Sequence, residues 1–89
     1  MSPSAFTFKL SVPNDPRMAP VVEDMARHAA EYATLGEATA ASFAAKALAA
    51  AGKVLKGDSN KTTLVVFAAG NGALTATIGG ESISQPLSS

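Results

Sequence analysis

The stretch Lys61-Thr62-Thr63-Leu64-Val65-Val66-Phe67-Ala68-Ala69-Gly70-Asn71-Gly72-Ala73-Leu74-Thr75-Ala76-Thr77-Ile78 decides the fold. Its first half, Lys61 to Ala69, is rich in β-branched residues, which suit a pleated strand. Gly70-Asn71-Gly72 offers positive-φ chemistry for a hairpin turn. Ala73 to Ile78 then alternates, with Leu74, Ala76 and Ile78 set against Thr75 and Thr77. Gly79-Gly80 breaks that strand. The remainder, Glu81 to Ser89, is short and polar and reads as a fraying end, although Ile83 could extend the strand past the glycines.

Two helical patterns precede the hairpin. Glu37 to Lys56 is dominated by alanine, with Phe43, Ala47, Leu48, Ala51, Val54 and Leu55 as its apolar side. Alanine has the highest helix propensity and leaves a flat surface that a neighbour can approach closely. Lys53 and Lys56 suit the negative end of the helix dipole, and Gly57 ends the helix. Before it, Met18, Val21, Val22, Met25, Ala29, Tyr32 and Ala33 recur at three- and four-residue spacing. Gly36 reads as the stop of that first helix. Asn14 or Asp15 is its cap and Pro16 its first position, with Pro20 marking either the regular start or a kink. Phe6, Phe8, Leu10 and Val12 alternate with Thr7, Lys9 and Ser11, a strand with one apolar face.

The order is strand, helix, helix, strand, strand. It predicts an α+β fold of two layers, a small and mainly antiparallel sheet with both helices on one face. A single domain spans 1–89. Leu64, Val66 and Ala68 point away from Val65 and Phe67, so this strand is apolar on both faces. Either Leu64, Val66 and Ala68 or Phe6, Phe8 and Leu10 must pack on the helices. The other set is the candidate interface, and a covering layer such as a second copy is expected.

Composition narrows the function. The chain has 89 residues, seven basic and seven acidic side chains, and no cysteine. Lack of cysteine excludes disulfides, thiolate catalysis, zinc fingers and iron–sulfur sites. A net charge of zero argues against a nucleic-acid partner, which needs a basic patch. At this size only about 63% of the unfolded surface is buried on folding, so a partner surface would add to a thin core. Met1 to Ala5 carries no positive charge and leads into no apolar run, so no targeting segment is expected. No stretch is long enough to span a bilayer. These readings point to a soluble, cytoplasmic protein.

Catalytic chemistry finds no constellation. His28 stands alone and reads as a surface or boundary residue. Gly52 to Ser59 imitates the glycine spacing of a phosphate-binding loop, but Asp58 takes the lysine's place and the segment ends a helix instead of opening one. The carboxylates are scattered and no pair suggests an acid/base couple or a metal site.

The segment Phe8-Lys9-Leu10-Ser11-Val12-Pro13-Asn14-Asp15-Pro16-Arg17-Met18-Ala19-Pro20-Val21-Val22, followed by Tyr32-Ala33-x-Leu35-Gly36-Glu37 and a second helix, resembles the bacterial anti-sigma-factor kinases of the histidine-kinase-like (GHKL) ATPase fold. The likeness runs from Phe6 to Gly80. In that family the second helix carries a Glu that activates a nucleophile and, four residues on, an Asn that holds magnesium. An Asp-x-Gly after the hairpin reads the adenine. Here Lys46, Ala50, Gly80 and Ser82 stand at those positions. The family continues with a nucleotide lid and further strands. The resemblance therefore implies a truncated, degenerate relative without catalysis, cofactor or metal.

The expected function is a non-catalytic protein-interaction module, regulating transcription by binding a sigma factor or its antagonist, and forming a homodimer. The alternative is a residual nucleotide or small-ligand binder using a cleft near Lys46, Ala50 and Gly80.

Overall fold

The structure, a computed structural model, describes residues 5–70 and 72–87, with the backbone alone at 58–60. Asn71 of the expected turn, the first four residues and Ser88-Ser89 lie outside the described residues. Strand β1 spans Phe6–Asn14, helix α1 Ala19–Tyr32, helix α2 Glu37–Val54, and strands β2, β3 and β4 span Asp58–Gly70, Ala73–Ile78 and Glu81–Pro86. The strands form one antiparallel sheet in the order β1-β2-β3-β4, and both helices pack on one face. The α+β, two-layer reading holds.

The expected three-stranded sheet gains a fourth strand. Glu81 to Pro86 pairs with β3 instead of fraying, from Ile78↔Glu81 to Ala73↔Pro86. Gly79, at φ +59, turns the chain, and Gly80 completes the link. Ile83 then falls opposite Ala76 and packs on the core. A single large apolar residue in a Ser-rich strand gives too weak an alternation to read alone.

Asp15 and Pro16 open a 3-10 turn and not α1 itself, which starts one turn later at Ala19 with Met18 at its N-cap and no side-chain cap. Asp15 Oδ1 accepts a hydrogen bond from the Arg17 amide at 2.9 Å, capping a 3-10 turn at Pro16–Met18 that leads into α1. Asn14 serves differently. Its side-chain Oδ1 accepts from the Lys56 amide at 2.9 Å and its carbonyl from the Gly57 amide at 3.1 Å, fastening β1 to the α2–β2 connection.

The end of α1 corrects the sequence reading. The helix stops at Tyr32, before Gly36. The Leu35 amide donates to the Ala30 carbonyl and the Thr34 amide to the Glu31 carbonyl, the paired bonds of a Schellman motif. Thr34 takes the left-handed position at φ 64, where glycine is usual. Gly36 instead lies at the N-cap of α2 in an extended conformation.

Alanine builds the helix–helix seam. Ala26, Ala29 and Ala30 of α1 and Ala40, Ala44 and Ala47 of α2 are buried. The buried stripe of α1 is turned from the expected one, for Val21 and Tyr32 are exposed. Volume comes from a few large side chains: Phe43, Phe67, Leu55, Leu74 and Ile78. Twelve of the twenty buried apolar residues among those described are alanine.

Candidate functional site

Period-two alternation divides every strand between the helices and the open side. Val12, Val65, Phe67, Ala69, Leu74, Ala76 and Ile78 are buried under the helices. Phe6, Phe8 and Leu10 lie on the same face, half-buried and packed against that core. Leu64, Val66 and Ala68 therefore occupy the open face, with Leu64 52% exposed. The sequence left two candidate sets, and the structure gives the open face to Leu64, Val66 and Ala68. Phe6 and Phe8 are not fully covered, however, because they sit on an edge strand.

Cross-strand register lays out the open face in rows. Lys9, Val66, Thr77 and Ser82 form one row, and Thr7, Ala68, Thr75 and Ser84 the next. Ser11 lies opposite Leu64. Among the open-face residues whose side chains are described, Lys9 alone is charged. The remaining charges gather on the helices, at the strand ends and in the connections. The face is thus an apolar β2 stripe between Thr- and Ser-bearing strands.

Charge elsewhere is solvated and locally paired. Arg17 Nη2 lies 2.7 Å from Asp15 Oδ2, and this hydrogen-bonded guanidinium holds the Asp15 carboxyl below its ordinary value. His28 Nδ1 is 3.6 Å from Asp24 Oδ2 on the exposed side of α1. Lys53 Nζ reaches Glu81 Oε1 at 4.0 Å, joining the end of α2 to β4. An open groove of about 430 Å³ lies between the end of α1 and the start of α2, lined by Arg27, Glu31, Leu35, Glu37 and Ala41.

The positions carried over by resemblance are dispersed. Lys46 is exposed on α2, while Ala50 is buried and offers no polar side-chain atom. Gly80 lies in the β3–β4 turn, next to Gly79, whose α-carbon abuts Val54 at the end of α2. At 1.5 Å per residue, Lys46 is about 12 Å back along the helix from Val54. Ser82 points to the open face, the side of the sheet opposite α2. No group of three or more His, Cys, Asp or Glu gathers for a metal among the described residues. No helix there is long and apolar enough to cross a membrane.

One cluster escaped the sequence reading. Phe6 and Phe8 have ring centroids 4.9 Å apart, and Tyr32 meets them edge-on at 5.0 and 5.8 Å. Alternation showed that Phe6 and Phe8 share a face. Only the end of α1 over β1 shows that Tyr32 joins them. No protein-family model, curated protein or solved structure matches the chain significantly.

Proposed function

We propose that the chain is a non-catalytic protein-interaction module that works through the open face of its sheet. The observation carrying this reading is the single charge, among the described side chains, on a four-stranded face with an apolar centre. Depletion of charge, more than hydrophobicity as such, marks the core of protein interfaces. Neutral net charge removes long-range self-repulsion, so a second copy is the occupant that this reading tests first.

Dimensions set the strength. Four strands at about 4.8 Å by about six residues at 3.4 Å give roughly 400 Å² of projected face per copy. Two such faces fall near the low end of specific interfaces, where association is weak and reversible. Resemblance to anti-sigma-factor kinases adds a sigma factor or its antagonist as the heterologous partner, in a cytoplasmic setting. Replacement of the family's ATP-site residues by Lys46, Ala50, Gly80 and Ser82 supports the non-catalytic part of the reading.

The test is light scattering on size-exclusion eluate at two protein concentrations, with and without Mg-ATP. A dimer fraction that rises with concentration, ignores nucleotide and disappears in Val66→Glu supports the reading. A monomer at both concentrations removes the second copy as occupant. A response to Mg-ATP favours the residual nucleotide-binding alternative over this reading.

A further inference from the structure

Among the described residues β1 pairs with β2 on one side only, and no strand pairs with its other edge along its nine residues. That edge carries backbone N–H and C=O groups with no strand to receive them. Few of the usual blunting devices are present. Pro13 removes one N–H near the far end, and Lys9 is the strand's one charge. The opposite edge, β4, is shorter at six residues and ends in Pro86.

Side chains flank this edge asymmetrically. On the helix side, half-buried Phe6 and Phe8 make a part-open apolar shelf, and Tyr32, 64% exposed, forms its lip. On the open side, Lys9 stands between Thr7 and Ser11 and makes no ion pair among the described residues.

We propose that the β1 edge is a strand-addition site for an extended segment of a partner protein, in which apolar residues alternate with acidic ones. A strand laid about 4.8 Å from β1 takes up the free backbone groups. Its residues alternate between the Phe6–Phe8–Tyr32 shelf and the Thr7–Lys9–Ser11 side. The aromatic shelf selects apolar side chains, and the ammonium group selects a carboxylate on the other face. Lys9 also disfavours a second copy of β1 as the occupant. A two-fold axis at Lys9 sets the two ammonium groups directly opposite, which is destabilising. An axis at Phe8 still leaves them diagonal neighbours, roughly 7–8 Å apart. The edge shares Thr7, Lys9 and Ser11 with the open face but offers backbone pairing that the face does not, so β1 and Val66 are followed separately in the test.

Tyr32 is the only tyrosine and the chain has no tryptophan, so intrinsic emission reports on the lip of the site. The probe is the blocked peptide acetyl-Thr-Val-Glu-Val-Glu-Val-Thr-amide. Titration is expected to change Tyr32 emission and to move the backbone amide resonances of β1 while those of β4 stay in place. Lys9→Glu lies on an exposed position and leaves the core intact. It is expected to weaken the acidic peptide roughly threefold to tenfold. The peptide with Lys in place of each Glu is expected to regain that loss on Lys9→Glu. Three results would each overturn the proposal: no change at any soluble peptide concentration, shifts centred on β4 or Val66, or failure of the charge-swapped pair to recover. Shifts with protein concentration alone that are confined to β1 and leave Val66 in place would give the edge to a second copy and also overturn it.

Discussion

Gly79→Ala is the most direct test of the β3–β4 turn. Gly79 sits at φ +59, and its amide donates to the Leu64 carbonyl at 3.1 Å. A left-handed residue with a Cβ costs about 1–2 kcal/mol. The added Cβ would also lie 2.8 Å from Val54 Cγ1 and 3.4 Å from Thr63 Cγ2. The first distance forces a shift, and overpacking of this kind costs about 1–3 kcal/mol. Together the loss should be about 2–5 kcal/mol. A chain of 89 residues has a total of about 4–13 kcal/mol to lose, so the variant should melt roughly 10–25 °C lower. Chemical denaturation of the single variants and of the double variant with Val54→Ala separates the two causes. Val54→Ala alone should cost about 1 kcal/mol from lost packing. In the Gly79→Ala background it should remove the clash, so the double variant falls short of the additive loss by about 1–3 kcal/mol. A loss below 1 kcal/mol for Gly79→Ala, or strict additivity with Val54→Ala, would refute the close approach of α2 to this turn.

Other residues extend the test to the rest of the fold. Thr34 holds a β-branched side chain at φ 64, so Thr34→Gly should relieve strain and raise stability by about 0.5–1 kcal/mol after glycine's entropy cost, read from the denaturation midpoint. Phe43 is fully buried, so Phe43→Ala should cost about 3–5 kcal/mol in the same assay. Asp15 titrates below its ordinary value because Arg17 hydrogen-bonds to its carboxylate. A depressed folded-state pKa contributes stability above the unfolded value, near 3.8, and that contribution is lost as pH falls through the folded value. Arg17→Ala should return the Asp15 carboxyl resonance to an ordinary titration and flatten stability between neutral and acid pH relative to the parent. An unchanged Asp15 titration in that variant would show that the ion pair does not form.

Much of the layout is legible along the chain because each element repeats with its own period. The hairpin after Lys61, the alternation at Phe6 to Val12 and both helices all appear in the sequence. Asp15-Pro16 marks the 3-10 turn that precedes α1 because a carboxylate cap and a pre-set φ act locally, whereas α1 itself begins at Ala19. The end of α1 is different. The Schellman bonds place Thr34 where sequence rules expect glycine, and half-buried Leu35 packs against the core beside it. β4 was illegible for a related reason. Its serines and glutamine acquire strand geometry from β3, and its one large apolar residue is set by register across from Ala76.

The candidate surfaces divide along the same line. Sequence alone determined that β2 is apolar on both faces, that cysteine chemistry is absent and that alanine dominates the second helix. Side-chain direction in a strand has only two values, so alternation named two possible faces but not which one the helices take. The tertiary structure decided that, by laying the helices over Phe6, Phe8, Val65 and Phe67 and leaving Leu64, Val66 and Ala68 open. It also made β1 an edge and brought Tyr32 onto its aromatics. Both are long-range facts of pairing and packing, whereas periodicity reports only on neighbours along the chain.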